Sequence, residues 1–135
     1  MTMILPHGAT VAVTDGTKML LFRNKGKEAI DLEPLAHPRL DHGHAGSGGR
    51  HRSSGANPDA HRLEEDDFAA AASAYLNKEV LAGNIVSIAI IANARTMGEM
   101  RKHFHSRLVE RLAGEVVKDL VDHSKKDIEA AVRAA

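Results

Sequence analysis

At 135 residues the chain has room for one domain with a modest core. Its 18 Lys and Arg balance 18 Asp and Glu, which excludes nucleic-acid binding driven by bulk charge and leaves only local basic patches. The lack of Cys excludes disulfides, thiol catalysis and cysteine metal sites, and 3% aromatics leave almost no platforms for stacking bases.

Met1 to His7 lacks the basic and apolar regions of a signal peptide. No apolar run approaches the roughly 20 residues of a membrane span. The expectation is a cytoplasmic protein with no membrane insertion. Thr10 to Thr14 alternates as a strand does, Asp15-Gly16 is a hairpin-turn dipeptide, and Lys18 to Arg23 reads as the returning strand. Ala29 to Ala36 reads as a third strand, held to a sheet edge by Pro34, which cannot donate to a ladder.

From about 41 to 58 the character changes. His42-Gly43-His44-Ala45-Gly46-Ser47-Gly48-Gly49-Arg50-His51-Arg52-Ser53-Ser54-Gly55 has no apolar periodicity and predicts a long flexible loop. A helix follows from about Ala60 to Ala82, capped by Asp59 and ended by Gly83-Asn84, with Phe68, Ala72, Tyr75, Leu76 and Val80 on its apolar face. Glu64 to Asp67 lie in its early turns, where negative charge suits the helix dipole.

Ile85-Val86-Ser87-Ile88-Ala89-Ile90-Ile91-Ala92 is a short apolar run rich in β-branched residues, and predicts a central strand buried on both faces. Thr96 and Glu99 have the spacing of a capping box for the next helix, whose inner face is Met97, Met100 and Phe104. Periodicity leaves Ser106 to Val121 open between a continued helix and a strand at about 115–121; a short helix, broken at Gly114, and then a strand is the preferred reading. Ser124 and Asp127 then cap a last helix with Ile128, Ala131, Val132 and Ala135 on one stripe. The order βββ-α-β-α-β-α makes a single α/β domain over 1–135, with a mixed sheet of about five strands.

In such sheets ligands sit beyond the carboxyl ends of the strands, which directs attention to Asn93, Arg95, Thr96 and Arg101. Helix N-termini attract anions, so Arg95 and Arg101 around Thr96 form one candidate binding set. Gly48, Gly49, Arg50, His51 and Arg52 form the other, since a Gly-rich backbone with Arg suits phosphate contacts. The loop histidines lack the spacing of closed metal sites, and ordering the loop costs entropy; His61 and Glu64, at i, i+3, could both reach a metal but read better as an exposed helix-start pair, so no metal, cofactor or catalytic residue is assigned. A two-metal nuclease needs converging carboxylates, yet the central strand ends in Ala92-Asn93 and Asp15 reads as a turn residue.

Several short motifs then fall in order: His7-Gly8, Asp15-Gly16, His61-Arg62-Leu63-Glu64-Glu65-Asp66-Asp67-Phe68-Ala69, Thr96-Met97-Gly98-Glu99-Met100-Arg101 and Lys118-Asp119-Leu120. Together they resemble the bacterial host-attachment family, proteins required for attachment to host cells. That family is similar to the middle domain of archaeo-eukaryotic peptide-chain release factors, so the resemblance implies a ribonuclease H-like topology. It also implies a part in host attachment, which fits an indirect role best because nothing in the chain exports or anchors it. Release factors carry a Gly-Gly-Gln loop ahead of a long helix, whose Gln works in peptidyl-tRNA hydrolysis. Here Gly48-Gly49 is followed by Arg50. The expectation is a non-enzymatic binding module. The alternative is a ribosome- or tRNA-associated protein that meets RNA or a protein partner through residues 42–55; a hydrolase acting on nucleic acid or peptidyl-tRNA is the weakest reading.

Overall fold

All five residues of Ile88–Ala92 are buried, because successive side chains of this strand point into two different cores. The computed structural model describes residues 3–36, 38–40 and 58–135, with side chains in the last stretch from residue 63 onward. Five strands, β1 (Thr10–Thr14), β2 (Met19–Asn24), β3 (Leu32–Leu35), β4 (Ile88–Ala92) and β5 (Leu112–Val117), form one mixed sheet in the order β3-β2-β1-β4-β5. Strands β1, β4 and β5 run parallel, while β2 is antiparallel to both β1 and β3. The helices are α1 (Pro58–Leu81), α2 (Ala94–Arg101), α3 (Ser106–Glu110) and α4 (Lys125–Ala134). This is the expected α/β architecture, in which the short helix expected ahead of the last strand stands as a separate element, α3.

On one face Ala12, Leu21, Ile88 and Ile90 meet Phe68, Ala72 and Leu76 of α1, Met97 and Met100 of α2, and Leu108 of α3. On the other Val11, Val13, Phe22, Ala89 and Ile91 meet Ile128 and Val132 of α4, with Leu5 and Leu120 alongside. The sheet is thus sandwiched between helices, which cover both faces of its buried parallel strands β1 and β4. Among the described residues no helix is long and apolar enough to cross a membrane.

Several boundaries differ from the sequence expectations, each for a physical reason. Pro58 opens α1, a position where its missing N–H costs nothing, so Asp59 lies within the first turn rather than capping it. Glu64 to Asp67 therefore fall beyond the first turn, out of reach of most of the dipole effect. The cap of α2 is Asn93, whose Oδ1 accepts the Thr96 N–H at 2.8 Å, so Thr96 is the third helical residue and is buried. Phe104 lies past the end of α2 and packs beside it.

Strand β5 begins at Leu112 and runs through Gly114, which does not break it. A Cβ at Gly114 would come within 2.6 Å of the Met3 Cε, so the glycine admits the N-terminal segment against the sheet. Lys118 to Val121 lie outside the strand. Strand β3 is the edge, paired through Phe22 with Pro34, and the Leu32 N–H donates to Glu129 Oε2 of α4 at 2.7 Å. Ser124 caps α4 as expected, accepting the Asp127 N–H.

Candidate functional site

The parallel strands end together, because Thr14 of β1 stands opposite Ala92 of β4, and Ala92 opposite Val117 of β5. Lys118 closes this edge by donating its N–H to the Ala92 carbonyl at 3.0 Å. Strand β3 runs the same way as β1, having been reversed twice, so it too ends toward this edge. The early turns of α1 reach the same place: Asp66 meets Arg95, and Glu65 sits against Gly16. The described chain thus leaves beyond Leu35 and returns in α1 at the edge that the sequence singles out. Residues Gly48, Gly49, Arg50, His51 and Arg52, with the expected flexible loop, lie outside the described residues, as does the side chain of His61.

At the edge, most charges have partners. Asp15 Oδ1 accepts from the Thr17 N–H at 2.8 Å, the Thr17 hydroxyl at 3.0 Å and the Lys18 N–H at 2.9 Å. One carboxylate oxygen with three donors makes Asp15 the turn's internal brace, in keeping with the local bonding habit of Asp. Gly16 serves close approach here: a Cβ would fall 2.6 Å from Glu65 Cγ, and its φ is not positive. Thr14 supports the turn from beneath, its hydroxyl donating to the Lys18 carbonyl at 2.9 Å. The Lys18 ammonium meets Asp122 Oδ1 at 2.7 Å. This hydrogen bond, reinforced by the opposite charges, lowers the Asp122 carboxyl and raises the Lys18 ammonium from their ordinary values.

The predicted residues of α2 are separated. Arg95 and Thr96 stand at the edge, and Arg95 Nη2 donates to both Asp66 oxygens at 3.0 and 3.1 Å. Arg101 is in the last turn, at the far end of the helix from Asn93. Its Nη2 and Nε donate to Glu115 Oε1 of β5 at 2.6 and 3.1 Å, and this pairing raises the guanidinium further. Glu99, offered by the sequence as half of a capping box, instead meets Lys102 at 3.1 Å, whose hydrogen bond lowers its carboxyl. Among the described residues no three His, Asp or Glu side chains converge as metal ligands would.

A second place escapes the sequence reading. Helix α1 ends in a Schellman turn: the Gly83 N–H donates to the Val80 carbonyl at 3.1 Å and the Asn84 N–H to Glu79 at 2.9 Å, with Gly83 at φ +84°. Beside this turn lies an open groove of about 550 Å³ lined by Val80, Leu81, Ala82, Gly83, His105, Arg107 and Arg111. His105 caps α3, its Nδ1 accepting the Arg107 N–H at 3.0 Å. Among the described residues neither Arg107 nor Arg111 has a carboxylate within ion-pair distance. The available signal was their i, i+4 spacing, which puts Arg107 in the short helix and Arg111 at its C-cap.

Comparison with known families finds that the chain matches bacterial archaeo-eukaryotic release factor family 12 over residues 8–132. The match carries no statement about attachment to host cells. No curated protein matches the chain.

Proposed function

The chain belongs to bacterial archaeo-eukaryotic release factor family 12, and on that premise we propose that it is a release-factor-like protein that associates with the ribosome or with tRNA. The observation that carries this reading is the extent of the match, which runs from Gly8, just ahead of β1, into α4. The geometry is compatible with it: the chain on both sides of the Gly48-Gly49-Arg50 segment comes to the carboxyl edge of the sheet, where the Arg95 side of α2 also lies. Attachment to host cells gains no support from the family and is not carried forward.

Within this reading the protein binds without hydrolysing. Arg50 follows Gly48-Gly49 where release factors carry Gln, and a guanidinium, unlike an amide, has no hydrogen-bond acceptor with which to orient a water. Gly48, Gly49, Arg50, His51 and Arg52 are the contact residues of the segment. The contact is electrostatic: phosphate oxygens accept from Arg, and each contact displaces counterions.

The test is co-sedimentation with ribosomes over a salt series, for wild type and the Arg50→Ala/Arg52→Ala variant. Wild type is expected in the ribosomal fraction at low salt, leaving it as salt rises, with the variant leaving earlier. Peptidyl-tRNA presented on those ribosomes is expected to stay intact. Absence of wild type from the ribosomal fraction at every salt concentration, with no binding to free tRNA, would overturn the association. Release of peptide would overturn the non-hydrolytic assignment.

A further inference from the structure

We propose that the groove between the end of α1 and α3 is a second polyanion site, in which Arg107 and Arg111 grip the phosphodiester backbone of RNA. This rests on the RNA-associated reading above and extends it to the opposite pole of the molecule. The first site lies where β4 ends, whereas the groove lies by Gly83, ahead of the residues that begin β4.

Four observations carry the proposal. Among the described residues the groove is lined by two arginines and a histidine and by no acid. In a chain with net charge zero, that is a local excess of positive charge. Arg107 and Arg111 differ from Arg95 and Arg101, whose forks are occupied by Asp66 and Glu115. Among the described residues Glu110, on the same short helix, makes no ion pair with either. Free guanidinium forks match the oxygens of a phosphate in a way a Lys ammonium does not. Finally, the Nδ1 of His105 is spent as the acceptor that caps α3, which leaves the opposite ring nitrogen, Nε2, as an N–H donor.

The end of α1 does not cancel this charge. A helix C-terminus carries about half a negative charge against two full positive ones. The Schellman turn also occupies the carbonyls of Glu79 and Val80, so the guanidiniums keep their donors for a ligand. The helix end gathers the arginines, and the ligand completes them. The occupant is a nucleic-acid backbone and not a protein segment, for two reasons. Leu81, 58% exposed, is the one large apolar side chain offered openly in the lining, and no aromatic joins it. Protein interfaces concentrate their energy in buried aromatic anchors, which this groove lacks. Without aromatics the contact reads phosphate and not base, so binding is indifferent to RNA sequence.

The experiment is binding of the full chain to a polyuridylate oligonucleotide, followed by fluorescence anisotropy over a salt series, alongside the ribosome assay above. The variants are Arg107→Ala/Arg111→Ala, the charge-preserving Arg107→Lys/Arg111→Lys, and Arg50→Ala/Arg52→Ala. The alanine pair is expected to weaken RNA binding by about ten-fold. The slope of log affinity against log salt should become shallower by about 0.7 for each phosphate that the variant no longer neutralises. The lysine pair should restore the slope but only part of the affinity, because an ammonium supplies charge without the fork. Inorganic phosphate at the same charge concentration should compete weakly; equal competition would overturn a backbone ligand in favour of a free anion. Competition only by an acidic peptide would overturn it in favour of a protein. An alanine pair with wild-type affinity and slope would overturn the groove, while retained ribosome association sensitive to Arg50 and Arg52 would leave the family reading standing. Failure of wild type to join ribosomes, with groove-dependent RNA binding intact, would separate the two the other way. Both arginines are exposed, so thermal melts of the variants should match wild type, which excludes unfolding as the cause.

Discussion

The two poles of the sheet treat arginine differently. At the carboxyl edge and along α2, Arg95 and Arg101 each meet a carboxylate through two hydrogen bonds or more. At the opposite pole, Arg107 and Arg111 line a groove that holds no acid among the described residues. The difference lies in what faces each helix. Helix α2 has Asp66 of α1 at its start and Glu115 of β5 at its end, whereas the end of α1 and the turn after it line the groove with Val80, Leu81, Ala82 and Gly83. Those residues supply apolar surface and backbone but no counter-charge. A guanidinium in sequence is therefore not yet a site; it becomes one only where the fold leaves it without a partner.

Both poles hang on β4, so the first way to break the comparison is through that strand. Ile90 is fully buried between β1 and β5, facing the α1 core. Ile90→Ala should cost about 2–5 kcal/mol in urea unfolding, the range for truncating a buried large aliphatic side chain. Because one rigid strand positions both ends, the loss should appear in a single cooperative transition. A cost under about 0.5 kcal/mol would be that of a surface position and would refute the central placement of this strand.

A sharper comparison sets the helix end at one pole against the helix start at the other. Gly83 holds φ +84°, and a Cβ there would meet nothing within 4 Å, so Gly83→Ala isolates the cost of a left-handed backbone, about 1–2 kcal/mol. Asn93→Ala removes the side-chain acceptor of the Thr96 N–H and should cost about 0.5–2 kcal/mol. The two sites share no partner, so the double variant should lose the sum of the two within roughly 0.5 kcal/mol. A clear departure from additivity in chemical denaturation would mean that the poles are coupled and cannot be assigned as independent sites.

The legible parts of this protein are those in which neighbours in sequence are also neighbours in space. The β-branched run before Asn93 announces a buried strand because its side chains alternate between two cores. Phe68, Ala72 and Leu76 announce the inner face of α1 by helical spacing, and all three are buried. The cap of α2 was less legible because two candidates overlap. Thr96 and Glu99 have capping-box spacing, yet Asn93 lies three residues ahead of Thr96 and directly after the last strand residue, so the helix starts without a loop. Gly114 looks like a breaker until Met3, from the far end of the chain, is seen beside it. Ion pairs were the least legible. Arg95 and Asp66 are 29 residues apart, and Lys18 and Asp122 are 104 apart. No local pattern reports such pairs, which is why the sequence offered Arg95 and Arg101 as candidate ligands and passed over Arg107 and Arg111.

The smallest expected effect tests whether the pairing at the carboxyl edge is structural support or mere proximity. Lys18, at the end of the hairpin turn, holds Asp122 in the segment between β5 and α4. The Lys18 hydrogen bond is the main reason the Asp122 carboxyl titrates lower than usual, with the attraction of the two charges second. Its folded-state value therefore lies below its unfolded one, near 3.9 for a free Asp. The stabilisation is fully present above that unfolded value and is lost as pH falls through the lower folded one. Lys18 is raised, so its share is present below its unfolded value and lost only as pH rises through the higher folded one. The pair thus supports the fold at neutral pH and fails first in acid. With 51% and 82% of the two side chains exposed, water and salt screen it strongly. Asp122→Asn should consequently lower the melting temperature only slightly at neutral pH and low salt. That difference from wild type should shrink as salt is added and vanish in acid, where the wild-type carboxyl is itself neutral. A difference that persists in acid would show that Asp122 acts through its shape and hydrogen bonding and not through its charge, and the charged edge would then owe its order to backbone turns such as that of Asp15.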